Sequence, residues 1–359
     1  MVTIIYAYRN RDECRIKMSL DSLKNQTNQD FKVVFVDYGS ESKLAAMIQK
    51  LVESYSFASY YYVHASSLLW NKSKALNYGI TKVTTPYVFI ADVDLIFNPT
   101  TTELFQNIAQ PNIAYLFKLA YLDKQASKKL QNPVVFDDLK PKHFGEVNGM
   151  ILVSKEVLEK VKGYDTFFHF YGAEDVDLCQ RIENTGCTIT KREELFFYHN
   201  WHIIYNSYND EKMSLVPRLF NIKRINEEHY FANKREQLTQ PHKQGIFGEV
   251  VSKEDQDSLN NPDKTFTMSN IQSGVHHFFH EHLKTYKNQI VHIVIQEDDY
   301  FKSTKYLLKN IFKKNSQPYI SMKEVNDIIL MKILYDFKDF NYAYHITNDL
   351  KKITFTIKM

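Results

Sequence analysis

The sequence predicts an α/β fold on a mainly parallel sheet. Three observations predict it: apolar runs too continuous for half-exposed strands, helix-period segments between those runs, and acidic residues where the runs stop. Tyr87-Val88-Phe89-Ile90-Ala91 is the clearest run; it leads into Asp92-Val93-Asp94, and Leu95-Ile96-Phe97 resumes directly behind. Carboxylates are rarely buried without partners, so this pair belongs at a strand's open end, where ligands of open α/β sheets collect. Taken alone, Asp-x-Asp suits either a cation site or a helix cap, and its surroundings must decide.

In chain order, Val2 to Tyr8 reads as the first strand and Arg9-Asn10-Arg11-Asp12 as a polar turn. Ile16, Leu20 and Leu23 then recur at helical spacing. Phe31 to Val36 is a second apolar strand, closed by Asp37-Tyr38-Gly39-Ser40; Leu44 to Val52 is helical, and Tyr60 to Val63 is a short tyrosine-rich strand. Trp70-Asn71-Lys72-Ser73-Lys74-Ala75-Leu76-Asn77-Tyr78-Gly79 predicts a helix with its glycine near the end. Residues 111 to 145, with Pro111, Pro133 and Pro141 and a lysine-rich middle, read as an irregular connection carrying acceptor contacts. Gly145 to Ser154 resumes a strand, and Lys155 to Val161 predicts a short helix capped by Ser154.

At 359 residues the chain can form one large domain or two. A formal charge of +3 excludes a dedicated nucleic-acid binder. Cys14, Cys179 and Cys187 form no C-x-x-C pair, which fits a reducing compartment. The first residues enter a strand pattern with no room for a signal peptide, and no run reaches the roughly 18 apolar residues of a membrane span. The expectation is a soluble, cytoplasmic protein, with contact at the inner face of a membrane left open.

Two strands ending in acid at one edge, with Arg9 and Arg11 after a third, look like a nucleotide site. The arginines suit a diphosphate and Asp37 a base or ribose, against a plain solvated turn. Neither Gly-x-Gly-x-x-Gly nor a Walker-type loop is present, which disfavours dinucleotide and P-loop folds. A second stretch, Phe167-Phe168-His169-Phe170-Tyr171-Gly172-Ala173-Glu174-Asp175-Val176-Asp177, combines aromatic rings, a glycine and three acids. Acids favour a helix start, but rings that pack on a sugar and carboxylates that bind its hydroxyls also make a sugar site, where one carboxylate can act as base. In Leu195-Phe196-Phe197-Tyr198-His199-Asn200-Trp201-His202, the histidines diverge on a strand and converge on a turn. One of them near Asp94 would complete an oxygen and nitrogen site suited to a Mn²⁺-like ion; a structural histidine is the other reading of His199.

Together these stretches, over residues 2 to 205, resemble the GT-A glycosyltransferases of the family 2 type, and especially the β-1,4-galactosyltransferase-like subgroup with its bacterial relatives. Val36-Asp37-Tyr38-Gly39-Ser40 looks like that family's Val-Asp-x-Gly-Ser turn. Trp70 to Asn77 is similar to its Phe-Asn-(Arg/Lys)-Ala-Lys-x-Leu-Asn element, and Asp92-Val93-Asp94 to its Asp-x-Asp. Gly145-Glu146-Val147-Asn148-Gly149 through Arg181 looks like the galactosyltransferase C-terminal module, with Tyr171 where the subgroup usually has tryptophan. The resemblance implies a GT-A (Rossmann-like) catalytic domain over 1–205, with a nucleotide-sugar half to about residue 98 and an acceptor half beyond it. A mainly helical extension over 206–359 follows, with a small α-rich domain from about 275.

By the same resemblance, Tyr8, Arg9, Arg11, Asp37, Trp70, Lys72, Asp92 and Val93 bind the nucleotide sugar. Asp94 and His202, with His199 as a further ligand, hold a divalent cation, Mn²⁺ before Mg²⁺. Tyr171, Gly172, Glu174 and Asp177 contact the acceptor, and Asp175 is the catalytic base assisted by Glu174. The implied activity is an inverting transfer of a hexose or N-acetylhexosamine from a UDP-sugar to a glycan or lipid-linked glycan, forming a β-glycoside in surface polysaccharide or capsule synthesis. A sugar nucleotidyltransferase is a rival, though its Gly-rich N-terminal phosphate loop is missing; so is a catalytically silent carbohydrate-binding or scaffold protein on the same fold.

The C-terminal third says less. Residues 206 to 275 are polar and read as a wrapping segment or a mobile loop; Ile290 to Ile295 reads as a strand, Tyr306 to Phe312 and Val325 to Tyr335 as helices. His276, His277, His280 and His282 fit a solvated helix better than a metal site, and the lysine-rich apolar helices suit an anionic membrane.

Overall fold

In the computed structural model, which describes residues 1–130, 134–203, 209–243, 245–312 and 318–359, the chain divides into two compact units. The first comprises Met1–Ser66, Trp70–Ser207 and Lys223–Val250; the second comprises Ser67–Leu69, Tyr208–Ile222 and Val251–Met359. The sequence boundary expected between 205 and 206 lies outside the described residues. Within the polar stretch from 206 to 275, Lys223–Val250 belongs to the first unit and contains a helix, described below.

The first unit is organised by strands β1 (Val2–Tyr8), β2 (Phe31–Tyr38), β3 (Ala58–Val63) and β4 (Tyr87–Ala91), linked by helices α1 (Glu13–Lys24), α2 (Ser42–Glu53) and α3 (Lys72–Thr81). The chain then adds β5 (Leu95–Phe97), α4 (Thr101–Ile108), β6 (Ile113–Tyr121), α5 (Lys124–Lys128), β7 (His143–Ser154), α6 (Lys155–Lys160), α7 (Glu174–Asn184), β8 (Thr188–His199) and α8 (Ile222–Arg235). The sheet runs β3-β2-β1-β4-β7-β6-β8-β5, with β1 parallel to both β2 and β4. The strand order reverses at β1, so the crevice beyond β1 and β4 is the place where such sheets take ligands.

The local chemistry explains the elements. Asp12 accepts the Arg15 N–H at 3.0 Å and Asn71 the Lys74 N–H at 2.8 Å, so α1 and α3 start on side-chain caps; Ser154 caps α6 as expected. The apolar runs of β1, β2 and β4 are buried on both faces, and Phe89, Phe97, Phe105, Phe117 and Phe197 close the core as one aromatic cluster. Phe89 and Phe197 stack at 5.2 Å and 11°.

Two differences from the sequence reading concern the site. The apolar run interrupted by the Asp-x-Asp is two strands: β4 stays at the sheet's centre, while β5 crosses to the far edge and pairs antiparallel with β8. The stretch read as an irregular connection contains β6, a nine-residue strand inside the sheet, pairing with β7 on one side and β8 on the other. Prolines at both ends of that stretch masked its apolar middle.

The second unit holds strands β9 (Lys264–Ser269), β10 (Ile290–Gln296), β11 (Tyr342–Ile346) and β12 (Lys352–Lys358) in the order β11-β12-β10-β9. Helices α9 (Lys253–Ser258), α10 (Gln272–His277), α11 (Thr304–Ile311) and α12 (Met322–Lys332) accompany it. Helices α10, α11 and α12 fall on stretches read as helical and β10 on the one read as a strand, whereas α9, β9, β11 and β12 were not expected. None of the described helices is long and apolar enough to cross a membrane.

Candidate active site

The site is built where β4 ends. Asp94 is 6 % exposed, and the polypeptide returns to it from the end of β8. Leu95 is paired with His199, the Asn200 N–H donates to the Asp94 carbonyl at 3.0 Å, and the turn after β8 brings His202 round to the same carboxylate. His202 Nε2 lies 3.0 Å from Asp94 Oδ2, and His199 Nε2 lies 3.6 Å from Oδ1. The two imidazoles are 5.0 Å apart, so the histidines converge on a turn rather than diverging on a strand. Arg15, from the first turn of α1, approaches Oδ2 at 3.9 Å while pairing with Asp12 at 2.8 Å.

Asp94, His199 and His202 form a candidate cation site. Burial works to raise the Asp94 pKa, but the His202 hydrogen bond and the His199, His202 and Arg15 charges outweigh it and hold it down to about 2. Asp94 Oδ1 is buried and has no hydrogen-bond partner among the described residues, a costly state for a carboxylate oxygen without a further ligand. Burial lowers the His199 pKa, which favours the neutral, ligating form, while the hydrogen bond to Asp94 raises that of His202. Among the described residues these three are the only group of histidines, cysteines and carboxylates close enough together to hold a metal.

Two residues before Asp94, Asp92 has a different environment. Its side chain is 40 % exposed, and Oδ1 accepts a hydrogen bond from Lys72 Nζ at 2.7 Å. Burial opposes the Lys72 charge, but Asp92, Glu174 and Asp175 together raise its pKa above the ordinary value. Lys72 thus pairs with the strand-end acid and feels the charges of the acids that open α7. Glu174 is pushed up, chiefly by burial, against the pull of Lys72. Tyr171, also predicted, is 41 % exposed and senses the charges of Glu174, Asp175, Lys72 and Asp92.

The start of α7 is held by its surroundings. Phe170, Gly172 and Ala173 take positive φ angles of 62°, 100° and 69°, and Ala173 stands at the N-cap without a side-chain cap. Non-glycine residues in this region are strained, and such strain gathers at functional sites. From α3, Asn77 donates to the Tyr164 carbonyl at 2.8 Å and accepts its N–H at 2.7 Å, while Asn71 donates to the Thr166 carbonyl. Gly163, at φ +60°, leaves no room for a Cβ, which would stand 2.2 Å from Asn77 Oδ1. Arg181 NH1 holds the Val161 and Gly163 carbonyls, both at 2.8 Å.

Three predicted residues have other duties. Asp177 is 1 % exposed, with Oδ2 taken by Arg181 Nε and Oδ1 by Asn233 Nδ2, both at 2.8 Å; it fixes α7 and α8 and is closed to an acceptor. The Val93 side chain packs into the core. Asp37 is fully buried, accepting the Ser40 N–H at 2.8 Å and the Tyr60 hydroxyl at 2.7 Å, so it shapes the turn instead of facing a nucleotide directly. That turn needs Gly39, whose φ is +80° and whose Cβ would fall 2.3 Å from Ser66 N.

The remaining predicted residues surround the crevice. Tyr8 is buried and its hydroxyl donates to the Arg11 carbonyl at 2.8 Å, which holds the turn after β1. Arg9 reaches the Ser66 carbonyl at 2.6 Å, Arg11 is exposed, and Trp70 packs edge-on against Tyr38. Sequence reasoning missed Arg15, Tyr121 and His143. Only Arg15 left a signal, as a cation one turn after the Asp12 cap. The histidines of the second unit show stacking of His276 on His280 at 5.8 Å.

A candidate cation site therefore stands at the reversal point of an α/β sheet, the arrangement of a GT-A domain. The comparison with known proteins sharpens it. Residues 3–161 match the family model of glycosyl transferase family 2, and residues 134–203 match that of the N-terminal domain of galactosyltransferase. Among solved structures, TarS of S. aureus is similar at 16 % identity and a TM-score of 0.42, over 56 % of this chain and 36 % of that one. A mannosyltransferase of Pyrobaculum calidifontis, solved with GDP-Man and Mn²⁺, shows 18 % identity and 0.41, over 55 % and 56 %. GalNAc-T7, solved with UDP, GalNAc and Mn²⁺, shows 11 % and 0.42, over 56 % and 43 %. The chain thus spans less than two thirds of the length of each. No curated protein matches it.

Proposed function

We propose that the protein is a metal-dependent inverting glycosyltransferase that moves a hexose or N-acetylhexosamine from a UDP-sugar to a glycan hydroxyl. The observation that carries this reading is the convergence of Asp94, His199 and His202 on one candidate cation site, two residues from an Asp92 that is paired with Lys72 at 2.7 Å. One carboxylate oxygen and two imidazole nitrogens, with one buried oxygen lacking a partner, suit Mn²⁺ first and Mg²⁺ second. When bound, such an ion supplies Lewis-acid stabilisation of a leaving nucleoside diphosphate.

The chain's own residues supply the rest. Lys72, held at the strand end, adds positive charge toward the departing phosphates, and the Arg9-Asn10-Arg11 turn lies after the neighbouring strand. Asp175 accepts the proton of the attacking hydroxyl, and Glu174 and Tyr171 engage sugar hydroxyls. Attack from the face opposite the leaving group inverts an α-linked donor to a β-glycoside, with no protein nucleophile.

The acceptor under this reading is a surface polysaccharide such as a capsule, on a lipid carrier at the inner face of the membrane. The exposed Leu307, Leu308, Ile311 and Phe312 of the α11 region support that contact, and flotation with anionic vesicles tests it. The transferase itself is tested by hydrolysis and binding across UDP- and GDP-sugars with Mn²⁺ and with EDTA. Metal-dependent selection of one UDP-sugar is expected; a folded protein that binds none overturns the reading.

A further inference from the structure

The register of β6 places Tyr121 opposite His143 on β7 and opposite His199 on β8. The three rings form a ladder across three strands: Tyr121 stacks on His143 at 4.5 Å and 7°, and meets His199 at 5.1 Å and 40°. The last rung is itself 5.0 Å from His202. We propose that Tyr121 is a positioning residue of the cation site, the ring that fixes the His199 imidazole so that its Nε2 faces the unpartnered Asp94 Oδ1. This rests on the metal-site reading above and adds a residue to it.

Four features of the chain support the assignment. The Leu122 N–H donates to the His199 carbonyl at 3.1 Å, so backbone and ring of His199 are both held from β6. His199 Nε2 stands 3.6 Å from Asp94 Oδ1, beyond hydrogen-bond length, so that bond cannot orient the ring and a packed neighbour must. Opposite the strand, Gly145 leaves space for the tyrosine: a Cβ there would lie 3.0 Å from Tyr121 Cε2. Finally, the Asn200 N–H donates to the Asp94 carbonyl at 3.0 Å, which holds the chain next to His199 against the acid. Cross-strand aromatic pairs are a recognised unit of sheet stabilisation, and here their line leads to a metal ligand.

A ligating histidine owes much of its affinity to what orients it; outer-shell partners are worth about 10–100-fold in metal affinity. The test is Mn²⁺ binding to the metal-free full chain, read by the loss of the free-ion EPR signal and by calorimetry, without donor or acceptor. Tyr121→Phe keeps the ring and is expected to bind within about twofold of the parent. Tyr121→Leu removes it and is expected to lose roughly 10-fold or more. The exposed rung gives a variant less exposed to misfolding: His143→Leu is expected to weaken binding by a smaller factor in the same direction. Rescue by phenylalanine separates an orienting ring from a hydroxyl effect. Parental affinity in a folded Tyr121→Leu overturns the proposal; if that variant does not fold, parental affinity in His143→Leu does so instead. A parent that binds no Mn²⁺ removes the metal-dependent reading as well, so the two failures are distinct.

Discussion

Asp92 and Asp94 lie two residues apart in one motif, yet they serve opposite kinds of site. Asp94 is buried, faced by two imidazoles and an arginine, and left with an oxygen that nothing in the described chain satisfies. Asp92 is partly exposed and already neutralised by Lys72, which also serves Glu174 and Asp175. The first region offers a carboxylate and two imidazoles to a cation. The second already pairs its acid with a lysine and stays open to solvent. Strand geometry produces the split, because β4 ends at Ala91, just before Asp92, while β5 draws Asp94 under the returning β8.

The largest expected effect lies on the acid side. Asp175→Asn should lower turnover by about 10²–10⁴-fold while donor binding stays near parental, since only proton transfer is lost. Measuring kcat beside the donor dissociation constant checks it. Next comes the pair that opposes the two aspartates. Asp94→Asn should weaken Mn²⁺ binding by at least ~10²-fold, whereas Asp92→Asn should leave it within a few-fold and weaken donor binding instead. Equal losses of Mn²⁺ affinity in the two variants would erase the distinction.

A pH series sharpens the same contrast. The bond to Asp94 stabilises protonated His202 in the metal-free protein, and a ligating nitrogen must be unprotonated. Metal binding should therefore release a proton. Apparent Mn²⁺ affinity should be complete above the raised His202 pKa and fall as pH drops through it. Calorimetry in buffers of different ionisation enthalpy reads that proton. The smallest effect is on stability: Ala173→Gly relieves a left-handed alanine and should raise it by about 1 kcal/mol, seen as a higher Tm. A lower Tm would show that the strain estimate at this helix start is wrong.

Sequence was most informative where chemistry and pattern coincide. An apolar run stopped by two acids identifies β4 and its ligand-facing end, and His199 and His202 stand out because a turn can bring them together. It failed where neighbours across the sheet decide. Tyr121 looks like any tyrosine ending an apolar stretch until β7 and β8 flank it with His143 and His199. Asp177 resembles Glu174 and Asp175 as an acid opening a helix; its only distinguishing sign was Arg181 four residues on, the spacing of a helical ion pair. Asp37 ends its strand as Asp92 does, but Tyr60 on the next strand covers it.

The asparagines of α3 have a consequence for how reaction partners meet. Asn77 grips Tyr164 through both its N–H and its carbonyl, and Asn71 grips Thr166, so the helix beside the donor crevice is fastened to the loop that precedes Glu174. Each such bond is worth about 1 kcal/mol, and prising the two apart would forfeit several together. The separation between Lys72 and Asp175 is thus set when the chain folds. This part of the molecule acts as a jig that keeps α3 and the Tyr164–Thr166 loop in one fixed relation.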